Sequence, residues 1–205
     1  PFKTVADLKN PAMRPALIGG LGAGGTDTDV VLVAKDVLKL NLNLIRGYKG
    51  STDLSIAMER GEIDGRAIGW APLQVGAYRN YVREGRLRFL LQFGRETRWG
   101  RMPDVPTARE LASNPQDRAM LELVELPFRV TYPYVAPPNV PADRVRVLQT
   151  AFMKTFQDPD YLAEAKKLDL DVSPLDGATV RGMIVRLAQS PPALIARYKA
   201  ILEGK

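Results

Sequence analysis

The chain has no cysteine and no histidine among its 205 residues. Without cysteine there is no disulfide framework, no thiolate nucleophile and no zinc site built on thiolates. Without histidine there is no imidazole base and no imidazole metal ligand. Most hydrolase and metalloenzyme chemistries lose their usual residues here, so neither a metal nor a resident cofactor is expected. A chain without thiols suits reducing and oxidising compartments alike, and the absence therefore fixes no location. No run of ~20 apolar residues occurs, so no bilayer-spanning helix is expected. The sequence opens at Pro1 with no initiator methionine, no basic leader and no apolar h-region, which reads as a processed or truncated chain.

What is present has ordinary globular texture, with 45% hydrophobic and 25% charged residues, 17 glycines and 16 prolines. The length corresponds to about 1.4 domains at ~150 residues each. Basic residues outnumber acidic ones 29 to 23, a net charge of +6 that mildly favours anionic partners. Seven arginines fall between Arg79 and Arg101, which raises a nucleic-acid reading. Glu84 and Glu96 break the run, Tyr78 and Tyr81 stand at a helical spacing suited to packing, and no reader motif appears. A solvated basic face is the better account, and no nucleic-acid partner is expected.

Up to residue 126, short apolar runs alternate with amphipathic stretches, the signature of βα units around a mainly parallel sheet. The spacing predicts strands at Ala16–Leu21, Asn43–Arg46, Gly65–Gly69 and Arg88–Phe93. Helices are predicted at Asp27–Leu40, Ser51–Arg60 and Ala71–Glu84. Right-handed crossovers would bring the strand C-termini to one edge, where ligands bind in open α/β folds. Beyond this α/β lobe, residues 127–205 read as a mostly helical segment. Its predicted helices are Ala142–Gln157, Pro159–Leu168, Asp176–Gln189 and Pro191–Leu202, with short strands at Val130–Val135 and Asp171–Ser173.

The stretch PALIGGLGAGGTDTD, Pro15–Asp29, carries the first candidate chemistry. An apolar strand runs into Gly20, Gly22, Gly24 and Gly25, then into Thr26, Asp27 and a helix. Such a helix start carries about half a positive charge and orphan N–H donors that suit a carboxylate or phosphate. Gly20, Gly22 and Gly25 also satisfy G-x-G-x-x-G, which keeps open an NAD(P)-binding oxidoreductase domain. That fingerprint wants an acidic residue at the end of the second strand, where this chain offers Arg46. Glycines serving only a tight turn remain a third reading. After the second strand, Tyr48-Lys49-Gly50-Ser51 repeats the same physics: Gly50 frees the turn, Ser51 is expected to cap the next helix, and Tyr48 can form a wall. Trp70 and Gln74 follow the third strand at the same edge and are placed to line a pocket. Glu62 and Asp64 lie at the opposite end of that strand and read as structural.

Taken in order, the glycine-rich loop, GYKGSTDLSIAMERGEIDG, VREGRLRFLLQFGRETRWGRMPDVPTARELA and APPNVPADRVRVLQTAFMKTFQDPDYLAEAKKLDLDVSP resemble the substrate-binding receptors of tripartite tricarboxylate transporters, the Bug family. The likeness runs from about Thr4 to the C-terminus and is most specific at Tyr48–Ser51, Asp104–Thr107 and Pro137–Asp143. It implies a type II periplasmic-binding-protein-like lobe and a non-catalytic, periplasmic receptor of the Venus-flytrap kind. Such a receptor captures a small organic anion for membrane transporter subunits. It further implies that the anion sits at helix N-termini, here the loops Gly22–Thr26 and Tyr48–Ser51, and with the residues read above the expected site is Gly22, Gly24, Gly25, Thr26, Asp27, Tyr48, Gly50, Ser51 and Trp70. The family often has serine where this chain has Gly25, and Thr26 is expected to supply the hydroxyl instead. The chain starts where the family's second lobe usually begins, so part of the first lobe is expected to be missing. In relatives, residues 127–205 would return to that first lobe. The helices there are accordingly expected to expose apolar surface or to be covered by a partner, such as a second copy of the chain. An effector-sensing domain of a regulator shares this architecture and is the remaining alternative.

Overall fold

The computed structural model describes residues 1–22 and 24–204; Ala23, inside the expected Gly22–Thr26 loop, lies outside the described residues. The order of elements is α1 (Val5–Lys9), β1 (Ala16–Gly19), α2 (Thr26–Leu38), β2 (Leu42–Ile45), α3 (Ser51–Glu59), β3 (Gly65–Arg66), α4 (Trp70–Leu73) and α5 (Gly76–Arg83). After a 3₁₀ turn at Arg109–Leu111 come α6 (Pro115–Arg129), α7 (Ala142–Thr155), α8 (Pro159–Lys167), α9 (Gly177–Ala188) and α10 (Pro192–Glu203). The chain divides into two compact units, Pro1–Arg129 with Ser190–Lys205, and Val130–Gln189.

In the first unit the three strands form a parallel sheet in the order β2-β1-β3, with Ala16 opposite Leu42, Gly19 opposite Ile45, and Gly19 also opposite Arg66. Because side chains alternate along a strand, β1 sends Ala16 and Ile18 to one face and Gly19 to the other. The first face packs on α2, whose Val30, Val33, Ala34 and Val37 are buried with Leu42, Met120, Leu121 and Val124. Burying each such aliphatic side chain contributes about 1.5–3 kcal/mol, which makes this the main core. Helix α10 closes the same layer: Arg197 pairs with Asp36 at 2.7 Å and Asp117 at 2.9 Å, and the Tyr198 hydroxyl donates to Asp29. The second face is smaller and consists of Leu54, Ala57 and Ile63 around α3, with Leu21 and Tyr48 against them. Thus α2 and α3 leave adjacent strands yet cover opposite sides of the sheet, as right-handed crossovers require.

Three expected strands do not form. Arg88–Phe93 makes a single bridge, Gln92 to Thr107, and the Gln92 side chain instead ties the Met102 and Val105 carbonyls. Val130–Val135 and Asp171–Ser173 find no partner ladder among the described residues; Pro133 removes a donor from the former, and Tyr132, Tyr134 and Val135 are exposed. The helix expected over Ala71–Glu84 is split into α4 and α5 by the extended Val75, and Gly76 restarts the helix with φ 58°, a value that a helix interior does not accept. Helices α1 and α6 lay outside the periodicity reading.

The second unit contains α7, α8 and α9. Asp158 and Asp176 cap α8 and α9 through their side chains, and an aromatic run links Tyr134, Phe152, Phe156 and Tyr161 at centroid distances of 5.0, 4.9 and 5.4 Å. Among the described residues of this unit only Ala165 and Met183 are buried apolar side chains. Val147, Leu148, Leu162, Leu168, Leu170, Ile184 and Val185 are exposed, the open apolar surface expected of these helices.

Candidate functional site

The C-terminal ends of all three strands meet at one edge. Past the strands proper, Gly20 N–H donates to the Ile45 carbonyl and Gly47 N–H to the Leu21 carbonyl, so the loops after β1 and β2 leave side by side. From them start α2, capped by Gly25, and α3, capped by Gly50; neither cap makes a side-chain hydrogen bond. The expected role of Ser51 as the cap is therefore corrected. Ser51 is the first helical residue, and its Oγ accepts a hydrogen bond from Arg66 Nη1 at 2.8 Å.

The glycines differ in what their bareness permits. A Cβ at Gly20 would stand 2.7 Å from Thr28 Oγ1, and one at Gly25 would stand 2.8 Å from Asp27 Oδ1, so the chain's own side chains use that space. Gly22, Gly24, Gly47 and Gly50 have nothing within 4 Å of such a Cβ. Gly24 has φ 79°, a backbone that glycine adopts without strain. Thr26 begins α2, half-buried. Tyr48 is half-buried against the α3 cluster, its ring edge over Gly19.

Charge is uneven along this edge. The first turn of α2 carries Asp27 and Asp29, which already face its positive end. Asp29 is buried and accepts from Tyr198; Asp27 Oδ2 and Thr28 Oγ1 are buried with no hydrogen-bond partner among the described residues. The first turn of α3 has Asp53 turned back to the Lys49 N–H. Trp70 belongs to a separate group, edge-on to Trp99 at 4.8 Å and near Phe89 at 6.3 Å, with Arg101 over both indoles. The contacts thus join the β1 and β2 loops and bring Ser51 to β3, while Trp70 packs with its own aromatic neighbours.

Asp64, at the far end of β3, is structural as expected. It takes both Arg14 Nη atoms at 2.7 Å and the Leu17 N–H at 2.8 Å, and the Arg14 guanidinium holds its carboxyl below the usual carboxylate range. A shallow depression of about 540 Å³ along α7 is lined by Asp143, Arg146, Val147, Thr150, Ala151 and Lys154. All six belong to one helix, which offers no opposing wall to enclose a ligand.

Sequence reasoning missed Arg66 and read the packing of Tyr78 without its polar contact. Arg66 ends β3, which stops three residues short of the expected Gly65–Gly69, and so stands at the C-terminal edge of the sheet, where open α/β folds bind ligands. Tyr78 is buried as its helical spacing implied, yet its hydroxyl accepts from Arg66 Nη1 at 3.4 Å.

A parallel α/β sheet with helix starts and bare glycine backbone at its C-terminal edge is an arrangement at which open α/β folds bind ligands, and the family that the chain matches is of the type II periplasmic-binding-protein class. Residues 1–198 match the family model described as the tripartite tricarboxylate transporter family receptor, and the chain belongs to that family. Its members are substrate-binding receptors that work with membrane transporter subunits and are not enzymes. The oxidoreductase reading of Gly20, Gly22 and Gly25 is thereby set aside. No curated protein matches the chain. No helix among the described residues is long and apolar enough to cross a membrane.

Proposed function

We propose that this receptor captures a small carboxylate at the C-terminal edge of its sheet, in the periplasm, for delivery to transporter subunits. The observation that carries the reading is the pairing of the β1 and β2 loops, which sets two helix starts and bare glycine backbone beside one another. Amides of Gly22, Gly24 and Thr26 and of Gly50 and Ser51 are the donors, with Tyr48 as an apolar wall, while the Gly25 amide donates to the Gly22 carbonyl and shapes the turn into α2. Since Asp27 and Asp29 already face the start of α2, the ligand's negative charge belongs toward α3, and Asp27 accepts from a hydroxyl or ammonium of the ligand. The exposed apolar side chains of α7–α9 are the surface a second copy would cover. Titration calorimetry with small dicarboxylates and with NAD(P) tests the reading: heat from the former and none from the latter is expected, and the reverse would end it.

A further inference from the structure

Arg66 is half-buried at the end of β3, and the company it keeps is unusual for this chain. Three other arginines with reduced exposure meet a carboxylate: Arg109 has Glu125, Arg129 has Glu96, and Arg197 has Asp36 and Asp117. Arg66 meets none among the described residues. Its Nε donates to the Ala67 carbonyl at 3.3 Å. Its Nη1 is shared by the Ser51 carbonyl at 3.2 Å, Ser51 Oγ at 2.8 Å and the Tyr78 hydroxyl at 3.4 Å, all neutral oxygens. Nη2 has no acceptor among the described residues. A partly exposed guanidinium bonded only to neutral oxygens keeps its charge available, and an anion is the partner that would complete it.

The neighbours are arranged for such an anion. Ser51 Oγ accepts from Arg66, which leaves its own proton to give. The Ser51, Thr52 and Asp53 amides are first-turn donors of α3 without an intrahelical acceptor. Tyr78, buried on α5, holds the guanidinium from behind. Nη2, the Ser51 hydroxyl and these amides form a cationic donor set of the kind that carboxylates accept from.

We infer that Arg66 is the charge-reading residue of the site: its Nη2, with Ser51, takes one carboxylate of the ligand and discriminates against neutral analogues. This rests on the edge being an anion site, and it adds a fixed positive charge that backbone amides alone do not supply. Amide and arginine Nε–H resonances of the full chain, followed during titration with succinate and with neutral succinamide at constant ionic strength, test it. Saturable shifts at Arg66 and Ser51–Asp53 are expected with succinate only. Affinity should fall at least about tenfold in Arg66→Gln and less in Arg66→Lys, the loss of a hydrogen bond to a charged group. Tyr78→Phe, which keeps the ring in the core, should weaken binding by a smaller factor. Shifts confined to Gly24–Thr26 with affinity unchanged in Arg66→Gln overturn the role of Arg66 and leave the anion site standing. Saturable shifts at neither loop overturn both.

Discussion

At the scale of single residues, Gly19 at the end of β1 and Gly24 in the loop after it have opposite reasons for being bare. A Cβ at Gly19 would stand 2.5 Å from both Ile63 Cδ1 and Leu54 Cδ2, so any side chain there must displace these two buried side-chain ends. Gly19→Ala is expected to destabilise by about 1–3 kcal/mol, the usual effect of overpacking a core. Gly24→Ala has open space but a left-handed backbone, and should lose about 1–2 kcal/mol. Gly22→Ala has neither problem and should unfold within about 0.5 kcal/mol of the parent while weakening carboxylate binding. Urea denaturation alongside calorimetry separates the three. Equal stability losses at Gly19 and Gly22 would show that the loop packs on itself.

Two ionisable residues set opposite pH limits. Asp64 has its carboxyl lowered by Arg14, so its contribution is present above pH about 4 and is lost as pH falls through the lower folded value. Asp64→Asn should therefore flatten the acid limb of a stability profile. Burial and then the Asp29 charge push the Tyr198 hydroxyl up to about 12. Its contribution is intact below the unfolded value of about 10 and is lost between there and 12. Tyr198→Phe should remove that alkaline decline in thermal melts taken across this window.

At the scale of elements, what could be read from the sequence follows from where each element finds its partners. Helix α2 was legible because its apolar face repeats with helical period, and β1 and β2 because glycine and asparagine bound short apolar runs. The apolar run at Arg88–Phe93 looked the same, but a ladder is made by a neighbour, and none in the sequence identifies one. Helix α6 was missed although Asn114 accepts from the Asp117 N–H and Pro115 occupies its first position, both ordinary start signals. Inside α6, Glu125 is fully buried and meets Arg109 Nε at 2.5 Å, with its second oxygen unpartnered. Burial raises its carboxyl pKa against the pull of Arg109. Arg109→Ala strands that carboxylate and should destabilise by about 3–5 kcal/mol, whereas Arg109→Met with Glu125→Met should lose much less. A double-mutant cycle in urea reads the difference, and additive losses would mean that the pair is not coupled.

At the scale of the whole molecule, the site was legible to the extent that it is local. Glycine loops and helix starts announce themselves in sequence; Arg66 does not, because its meaning depends on Ser51, fifteen residues earlier, and on Tyr78 from another helix. Stability should be equally uneven. The first unit buries aliphatic side chains on both faces of its sheet, while Val130–Gln189 buries only Ala165 and Met183 among its described apolar residues and leaves Val147, Leu148 and Ile184 open. Local opening energies track buried apolar contact, so amides of α7–α9 should exchange with deuterium well before those of α2 and β1. If a second copy covers this surface, their protection should rise with protein concentration while that of α2 stays constant, since only association is concentration-dependent. Protection of α7–α9 equal to that of α2 at every dilution would show that the second unit is stable without any cover, and the exposed leucines and valines would then need no partner.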